Sequence, residues 1–194
     1  MIVITGPSAS GKTATCYYLQ EHYGIRKVIT HTTREMRDGE QNDVDYHFVS
    51  EEEFERMVKN DEFVEHVFYN GHHYGTSRKE VRIDKCMAVE LNGAMTYKSF
   101  NDPHIVLFRL ILDEDTCRER MLSRGDKPEK VASRIENDKE AFHLTPEAGK
   151  MIDCNVDTSV YDLPHAAEYI YKKYIEILKE RGIDYEKELQ ALKD

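Results

Sequence analysis

Met1-Ile-Val-Ile-Thr-Gly6-Pro-Ser-Ala-Ser-Gly11-Lys12-Thr13 is the stretch whose reading decides the fold. Residues 2–4 form a short apolar run, the pattern of a buried strand. It leads into G-x-x-x-x-G-K-T, the spacing of a loop that cradles phosphate groups. Gly6 and Gly11 free the backbone for conformations that a side chain would forbid. The N–H groups of Ser8, Ala9, Ser10 and their neighbours are thereby expected to converge on anionic oxygens. Lys12 brings a cation to the terminal phosphates, and the Thr13 hydroxyl is a ligand type for Mg²⁺. Residues 14–23 read as a helix whose N-terminus also faces the anion, and Gly24 is suited to ending it in a left-handed conformation. The loop predicts a nucleoside triphosphate and leaves open what receives its phosphate.

At 194 residues the chain is long enough for one domain with insertions and a real core. With 40% hydrophobic and 33% charged residues, its composition is that of an ordinary globular protein. No apolar run reaches membrane-spanning length. A formal net charge of −10 argues against a broad nucleic-acid or anionic-membrane surface, so any anion must be held by a local cluster of basic groups. Cys16, Cys86, Cys117 and Cys154 form no C-x-x-C pair. With only five residues before Gly6 there is no room for an export signal, so reduced thiols and a cytoplasmic location are expected.

Further along, residues 28–30 read as a second strand. Residues 30–48 then bring Arg34, Arg37, several hydroxyls and Tyr46 together without helical periodicity. A solvated loop has this composition; so does a second anion site, because arginine forks and hydroxyls suit a phosphate. Ser50-Glu51-Glu52-Glu53 is a capping box that opens a helix with Phe54, Met57 and Val58 on one face. A strand over 62–69, an Asn70-Gly71 turn and a return strand over 72–76 form a hairpin. It leads to a second capping box, Ser77 to Glu80. Residues 86–91 read as a strand carrying Glu90 at the end where ligands meet an α/β sheet.

Residues 105–112 are the most apolar strand, interrupted by Arg109. Asp113 caps a helix through Arg124 on which Arg120 and Arg124 share a face. Gly125 to Pro128 breaks it, and a second helix over 129–142 carries Arg134. Three arginines around such a break suggest a mobile lid that delivers positive charge. A last strand over 151–156 precedes an amphipathic helix over 163–180, with Leu163, Ala167, Ile170, Tyr174 and Ile177 at core spacing. Residues 183–194 read as a polar helix. Strands alternating with helices give an α/β protein with a mainly parallel sheet.

Four segments in this order narrow the reading: GPSASGKT at 6–13, THTTREMRDGEQNDVDYHF at 30–48, YGTSR at 74–78 and RERMLSRG at 118–125. On them the chain resembles the guanylate kinases of the nucleoside monophosphate kinase superfamily, over roughly residues 1–178. The resemblance implies an α/β, P-loop NTPase-type parallel sheet core flanked by helices, with a small mixed α/β monophosphate-binding insertion and a helical lid. Within one kinase domain these would be a core of 1–29, 77–124 and 138–194, an insertion of 30–76 and a lid of 125–137. The implied reaction is MgATP and GMP giving ADP and GDP, with dGMP a second acceptor.

By the same resemblance, Arg34 and Arg37 hold the GMP phosphate with Tyr46 and Tyr74, and Thr30 replaces a family serine beside them. Glu65 accepts from the guanine ring N–H groups, Thr76 meets the guanine oxygen, Glu40 orients the arginines, and Glu90 belongs to the same acceptor site. Arg120, Arg124 and Arg134 reach across to the ATP phosphates, joining Lys12 and Arg34 as the catalytic set. Asn155 corresponds to a residue beside the adenine. The implied partners are ATP and the monophosphate, with no nucleic acid or membrane, for a monomer or weak homodimer.

One departure stands out. Where the family reads D-I-D-x-Q-G, this chain reads Ala88-Val-Glu90-Leu-Asn92-Gly93, so one carboxylate is lengthened and the other is missing. Losing one hydrogen bond costs about 0.5–1.5 kcal/mol, which bears on base discrimination more than on phosphoryl transfer. Two other readings share these motifs. One is a related kinase for another small phosphorylated acceptor, a different nucleoside monophosphate or a ribose bisphosphate. The other is a non-catalytic module of the same fold that binds phosphopeptides.

Overall fold

The computed structural model describes residues 1–69 and 71–192. Its strands are β1 (Ile2–Thr5), β2 (Arg26–Lys27), β3 (His31–Thr32), β4 (His47–Phe48), β5 (Phe63–Tyr69), β6 (His72–Ser77), β7 (Lys85–Ala88), β8 (Val106–Ile111) and β9 (Cys154–Asp157). Five of them form a parallel sheet in the order β2-β7-β1-β8-β9. The opening strand is therefore its centre, with Ile2 opposite Cys86 on one side and Val106 on the other.

Strand alternation divides the apolar side chains of β1 between two faces. Ile2 and Ile4 join Cys16 and Leu19 of α1 (Lys12–Tyr23) and the buried stripe of a long C-terminal helix, including Ile170 and Tyr174. Met1 and Val3 point the other way, into a cluster with Val28, Met87, Ala94, Tyr97 and Leu107. The sheet is thus covered on both faces, as all-parallel sheets must be. The parallel α/β core expected from the sequence is what the chain forms.

A second, four-stranded sheet has the order β4-β3-β6-β5. β5 and β6 pair antiparallel, β3 runs antiparallel to β6, and β4 lies parallel to β3. It packs against α2 (Glu51–Lys59) through Phe54, Met57 and Phe63. Gly75 is needed there, because a Cβ on it would stand 2.9 Å from the Phe63 ring and 3.1 Å from that of Phe54. Ser50 caps α2 as expected, accepting from Glu53 N–H at 3.1 Å. Val58 is exposed, so it does not share the core face with Phe54 and Met57. Asn70 of the expected Asn70-Gly71 turn lies outside the described residues, as do Lys193 and Asp194 of the tail.

Several boundaries differ from expectation. The second strand is Arg26–Lys27 rather than 28–30: Val28 N–H still bonds to Cys86 O at 2.8 Å, and the chain then leaves for the second sheet. Ser77 opens only a 3₁₀ turn, Arg78–Glu80, without a side-chain cap. Its Glu80 carboxylate is committed elsewhere, accepting from Ile29 N–H at 3.0 Å and from buried Lys85 at 2.8 Å. The strand expected over 86–91 stops at Ala88, and Leu91 begins α3 (Leu91–Ser99), which was not foreseen. Burial of Leu91, Ala94 and Tyr97 on one side outweighs the turn signal of Asn92-Gly93.

Asp113 caps α4 (Glu114–Ser123), accepting from Thr116 N–H at 2.8 Å, and α5 (Pro128–Ala141) follows the break. The short helix α6 (Pro146–Met151) was missed, so the last strand starts three residues late, at Cys154. The long C-terminal helix, α7 (Leu163–Glu180), has the expected bounds, although Leu163 at its start is exposed. The tail forms α8 (Tyr185–Ala191) and docks through buried Tyr185 against Tyr171 and Tyr174.

Candidate active site

Residues 6–13 turn from the centre of the sheet into α1. Gly6 has φ +149°, and a Cβ there would lie 2.6 Å from the Leu110 carbonyl oxygen. Gly11, also left-handed at φ +92°, stands directly before α1. The loop is pinned internally by the Ser10 hydroxyl, which donates to Pro7 O at 2.7 Å. Lys12 folds back over it, donating to Gly6 O at 2.6 Å and Pro7 O at 2.9 Å. Burial holds its ammonium below the ordinary lysine range, while Asp138 and Glu90 oppose that shift.

A cavity of about 440 Å³ opens over this loop, lined by Ser8, Ala9, Gly11, Lys12, Thr13, Ala14, Arg120 and Arg124. Arg120 is held at its edge, donating to Thr158 O at 2.6 Å and Ala9 O at 3.4 Å. Arg124 and Arg134 share one carboxylate: Arg124 donates to Asp126 at 2.6 and 3.0 Å, and Arg134 at 3.0 Å. Those two arginines pull Asp126 below the usual carboxylate range, Arg124 contributing more. Two of the three arginines expected to supply charge are therefore gathered beside the cavity by an acid from their own helix break.

A second acid enters the loop itself. Asp138, near the end of α5, accepts from Ser8 N–H at 2.7 Å. A carboxylate thus sits on an N–H group of the loop expected to hold phosphate. The Phe142 ring lies 5.6 Å from the Lys12 ammonium just beyond it. Arg109, unexplained in the sequence, lines a separate cavity of about 210 Å³ with Asp138, Phe142 and Pro7.

On the other side, a cavity of about 270 Å³ is lined by Thr13, Cys16, Lys27, Val28, Thr30, Asp45, Tyr46, Met87 and Ala88. It joins the end of the glycine loop to the start of the second sheet, and Ala88 forms part of its wall. Nearby, the Arg34 guanidinium forks onto Glu40 at 2.7 and 3.0 Å and lies over the rings of Tyr46 at 5.4 Å and Phe48 at 5.6 Å. Glu40 also accepts from Arg37 N–H at 2.8 Å. The hydrogen bond to Arg34 is the larger cause, and the Arg37 N–H the next, of a carboxyl held below its ordinary range.

Tyr74 faces Tyr46 with ring centroids 6.2 Å apart. On β5 and β6, the buried Thr76 hydroxyl donates to Glu65 at 2.8 Å. Glu90 stands exposed at the start of α3, where its charge acts on Lys12.

The chain therefore brings Lys12, Thr13, Arg120 and Arg124 to one cavity, Thr13, Thr30 and Tyr46 to its neighbour, and Arg34, Glu40, Tyr46 and Tyr74 to one cluster. The Arg37 side chain is exposed and only its N–H joins that cluster. Asn155 is exposed on β9 and lines neither cavity. The residues that wall a recess of about 140 Å³ beside Arg120 are instead Thr158, Tyr161 and Asp162, with Ser10, Gly11 and Ala166. Ser10 and Gly11 were expected there as part of the loop, but sequence reasoning missed Thr158, Tyr161, Asp162 and Ala166, and missed Asp126, Lys27 and Asp138. Asp126 alone carried a local signal, an acid between two expected lid arginines.

The comparisons with known proteins agree with one another. A family model described as guanylate kinase matches residues 1–166. A guanylate kinase from Fusobacterium nucleatum subsp. nucleatum is 33% identical over 71% of this chain and 78% of its own length. One from Clostridium perfringens strain 13 is 31% identical over 82% of this chain and 78% of its own. Among solved structures, a guanylate kinase from Anaplasma phagocytophilum superposes with a TM-score of 0.55 at 22% identity, covering 90% of this chain and 83% of that one.

Proposed function

The chain belongs to the guanylate kinase family, and from that premise we propose that it moves the γ-phosphoryl group of ATP onto the phosphate of GMP, and of dGMP as a second acceptor. It is a nucleoside monophosphate kinase. One observation carries the reading: Thr13, at the end of the glycine loop, lines both the cavity over that loop and the cavity of Thr30 and Tyr46. Donor and acceptor phosphates placed in the two cavities meet at the start of α1. Its N-terminus and Lys12 both favour negative charge there.

An acceptor that is itself a phosphate is already ionised near neutral pH, so the reaction needs no general base. Its difficulty is the approach of two anions, and catalysis consists of positioning and charge stabilisation. In this account residues 30–76 form the acceptor-binding insertion, 125–137 the lid, and the remainder the core. Lys12 leaves the carbonyls of Gly6 and Pro7 for the β- and γ-phosphates. Arg34 and Arg37 grip the acceptor phosphate with Tyr46, Tyr74 and Thr30, Glu40 holding Arg34 in place. Glu65 and Thr76 read the guanine edge.

Arg120 already borders the donor cavity, and lid closure brings Arg124 and Arg134 to the triphosphate. The recess walled by Thr158 and Tyr161 receives the adenosine, in preference to a site at Asn155. Closure also excludes water from the transfer.

The Thr13 hydroxyl fits Mg²⁺, which keeps most of its waters and is held through few protein ligands plus substrate phosphates. When bound there the ion would neutralise charge between the β- and γ-phosphates. No helix among the described residues is long and apolar enough to cross a membrane, and in this reading the reaction takes place in the cytoplasm on a monomer or weak homodimer. Formation of GDP from GMP with ATP, compared with other acceptors, tests the reading.

Asp138 adds a prediction. Its carboxylate holds Ser8 N–H, so a triphosphate entering the loop must displace it as well as overcome its charge. Asp138→Ala is expected to lower KM for ATP about three- to tenfold, the worth of one modest hydrogen bond, with KM for GMP little changed. Initial rates at varied ATP check this. A raised KM for ATP would make Asp138 a support of the donor site and not a competitor for it.

A further inference from the structure

Tyr97 lies on α3 outside every segment that carries the family resemblance. Its ring belongs to the cluster that joins Met1 and, from the parallel sheet, Val3 and Leu107 to Val64 of β5. The residue is 1% exposed, and its hydroxyl is buried without a hydrogen-bond partner among the described residues. A phenylalanine would fill this place without leaving a buried donor unpaired, a costly arrangement in a core. Burial raises the pKa of this hydroxyl, and Thr76 and Glu65 are the polar side chains whose charge and hydrogen bonding act on it; Thr76 itself donates to Glu65 at 2.8 Å.

We propose that Tyr97 is a positioning residue for recognition of the acceptor base. This rests on the guanine reading above. A threonine hydroxyl has one hydrogen and two lone pairs. In the free chain its hydrogen is given to Glu65. A guanine whose ring N–H groups take up the Glu65 oxygens releases that hydrogen for the 6-oxo group. The Tyr97 O–H then donates to a lone pair of Thr76 Oγ1, closing the chain Tyr97 to Thr76 to the base oxygen.

With one lone pair so occupied, Thr76 keeps its hydrogen for an acceptor at position 6 and has a single lone pair left for an amino donor there. A buried polar group matched this way discriminates strongly, because the wrong partner leaves it unpaired. Ala88 lines the cavity of Thr30 and Tyr46 where the family carries a carboxylate, and Tyr97 adds definition to the Glu65–Thr76 pair.

Tyr97→Phe separates the hydroxyl from the ring. With GMP, KM is expected to rise about 3- to 10-fold, the effect of one neutral hydrogen bond, while kcat changes by less than about twofold. With the 2-aminopurine ribonucleoside 5′-monophosphate, which has no oxygen at position 6, the variant and wild type are expected to have equal KM. In a Thr76→Val background the Tyr97→Phe change should add nothing, since the pair acts as one unit.

Equal losses on both nucleotides, or no loss on GMP, would overturn the inference while leaving GMP turnover intact. So would an additive loss in the Thr76→Val background. A wild-type protein that turned over no GMP would overturn the guanine reading and this inference with it. A thermal midpoint equal to or above that of wild type is expected for Tyr97→Phe, so that the KM effect reports recognition and not folding.

Discussion

Lys12→Ala is expected to lower kcat by about 10²- to 10³-fold or more, the usual consequence of deleting a preorganised group that stabilises transition-state charge. In the free chain this ammonium spans Gly6 O and Pro7 O at 2.6 and 2.9 Å, within the loop that would carry the triphosphate. Lys12 itself lines the open cavity over the loop, so water takes the place of its ammonium when the side chain is removed. Stability should therefore fall by no more than about 1 kcal/mol. Steady-state rates and a thermal melt together check the prediction. Substantial retained turnover in a well-folded variant would remove Lys12 from the mechanism.

The second large effect belongs to Arg34. The Arg34 side chain is 10% exposed, and its guanidinium is held by a two-point contact with Glu40, over the rings of Tyr46 and Phe48. Arg34→Ala removes a cation from the acceptor phosphate and leaves Glu40 behind, still anchored by Arg37 N–H at 2.8 Å. A favourable contact is exchanged for a like charge. KM for GMP should rise about 10- to 100-fold, the worth of a charge-assisted hydrogen-bond pair, against a change of about threefold or less for ATP.

Arg34→Lys should recover only part of the loss, since an ammonium cannot form the fork with Glu40. The paired Michaelis constants measure this, and equal movement of both would contradict the division into donor and acceptor cavities.

Much of this organisation was legible because it is local. Residues 1–13 specify a strand, a left-handed glycine turn and the start of a helix, and α7 declares itself by Ala167, Ile170, Tyr174 and Ile177 at helical spacing. Arg34 and Glu40 are six apart, so their pairing was within reach of the sequence. Ala88 was recognisable as a departure, and it lines the cavity of Thr30 and Tyr46 proposed for the acceptor.

What the sequence hid depends on packing over long separations. Ser8 and Asp138 are 130 positions apart, and no periodicity announces that α5 lays an acid on the glycine loop. Asn92-Gly93 mimics a turn, yet a whole helix continues through it because Leu91, Ala94 and Tyr97 find one apolar surface. The wall of the recess beside Arg120 comes from Thr158 and Tyr161, after β9 has ended, and not from Asn155 on the strand. Tyr97 is similar: only the folded chain shows its hydroxyl buried without a hydrogen-bond partner among the described residues.

The central claim is that the cavities meeting at Thr13 pair ATP with a guanine nucleotide. Its most direct test is one set of initial rates, with ATP and Mg²⁺ fixed and GMP, dGMP, AMP, CMP, UMP and a ribose bisphosphate offered in turn as acceptors. GMP should give the highest kcat/KM, with dGMP next and the others at least about tenfold lower, as expected when a buried polar pair meets the wrong partner. Turnover of another acceptor equal to or above that of GMP would contradict the account.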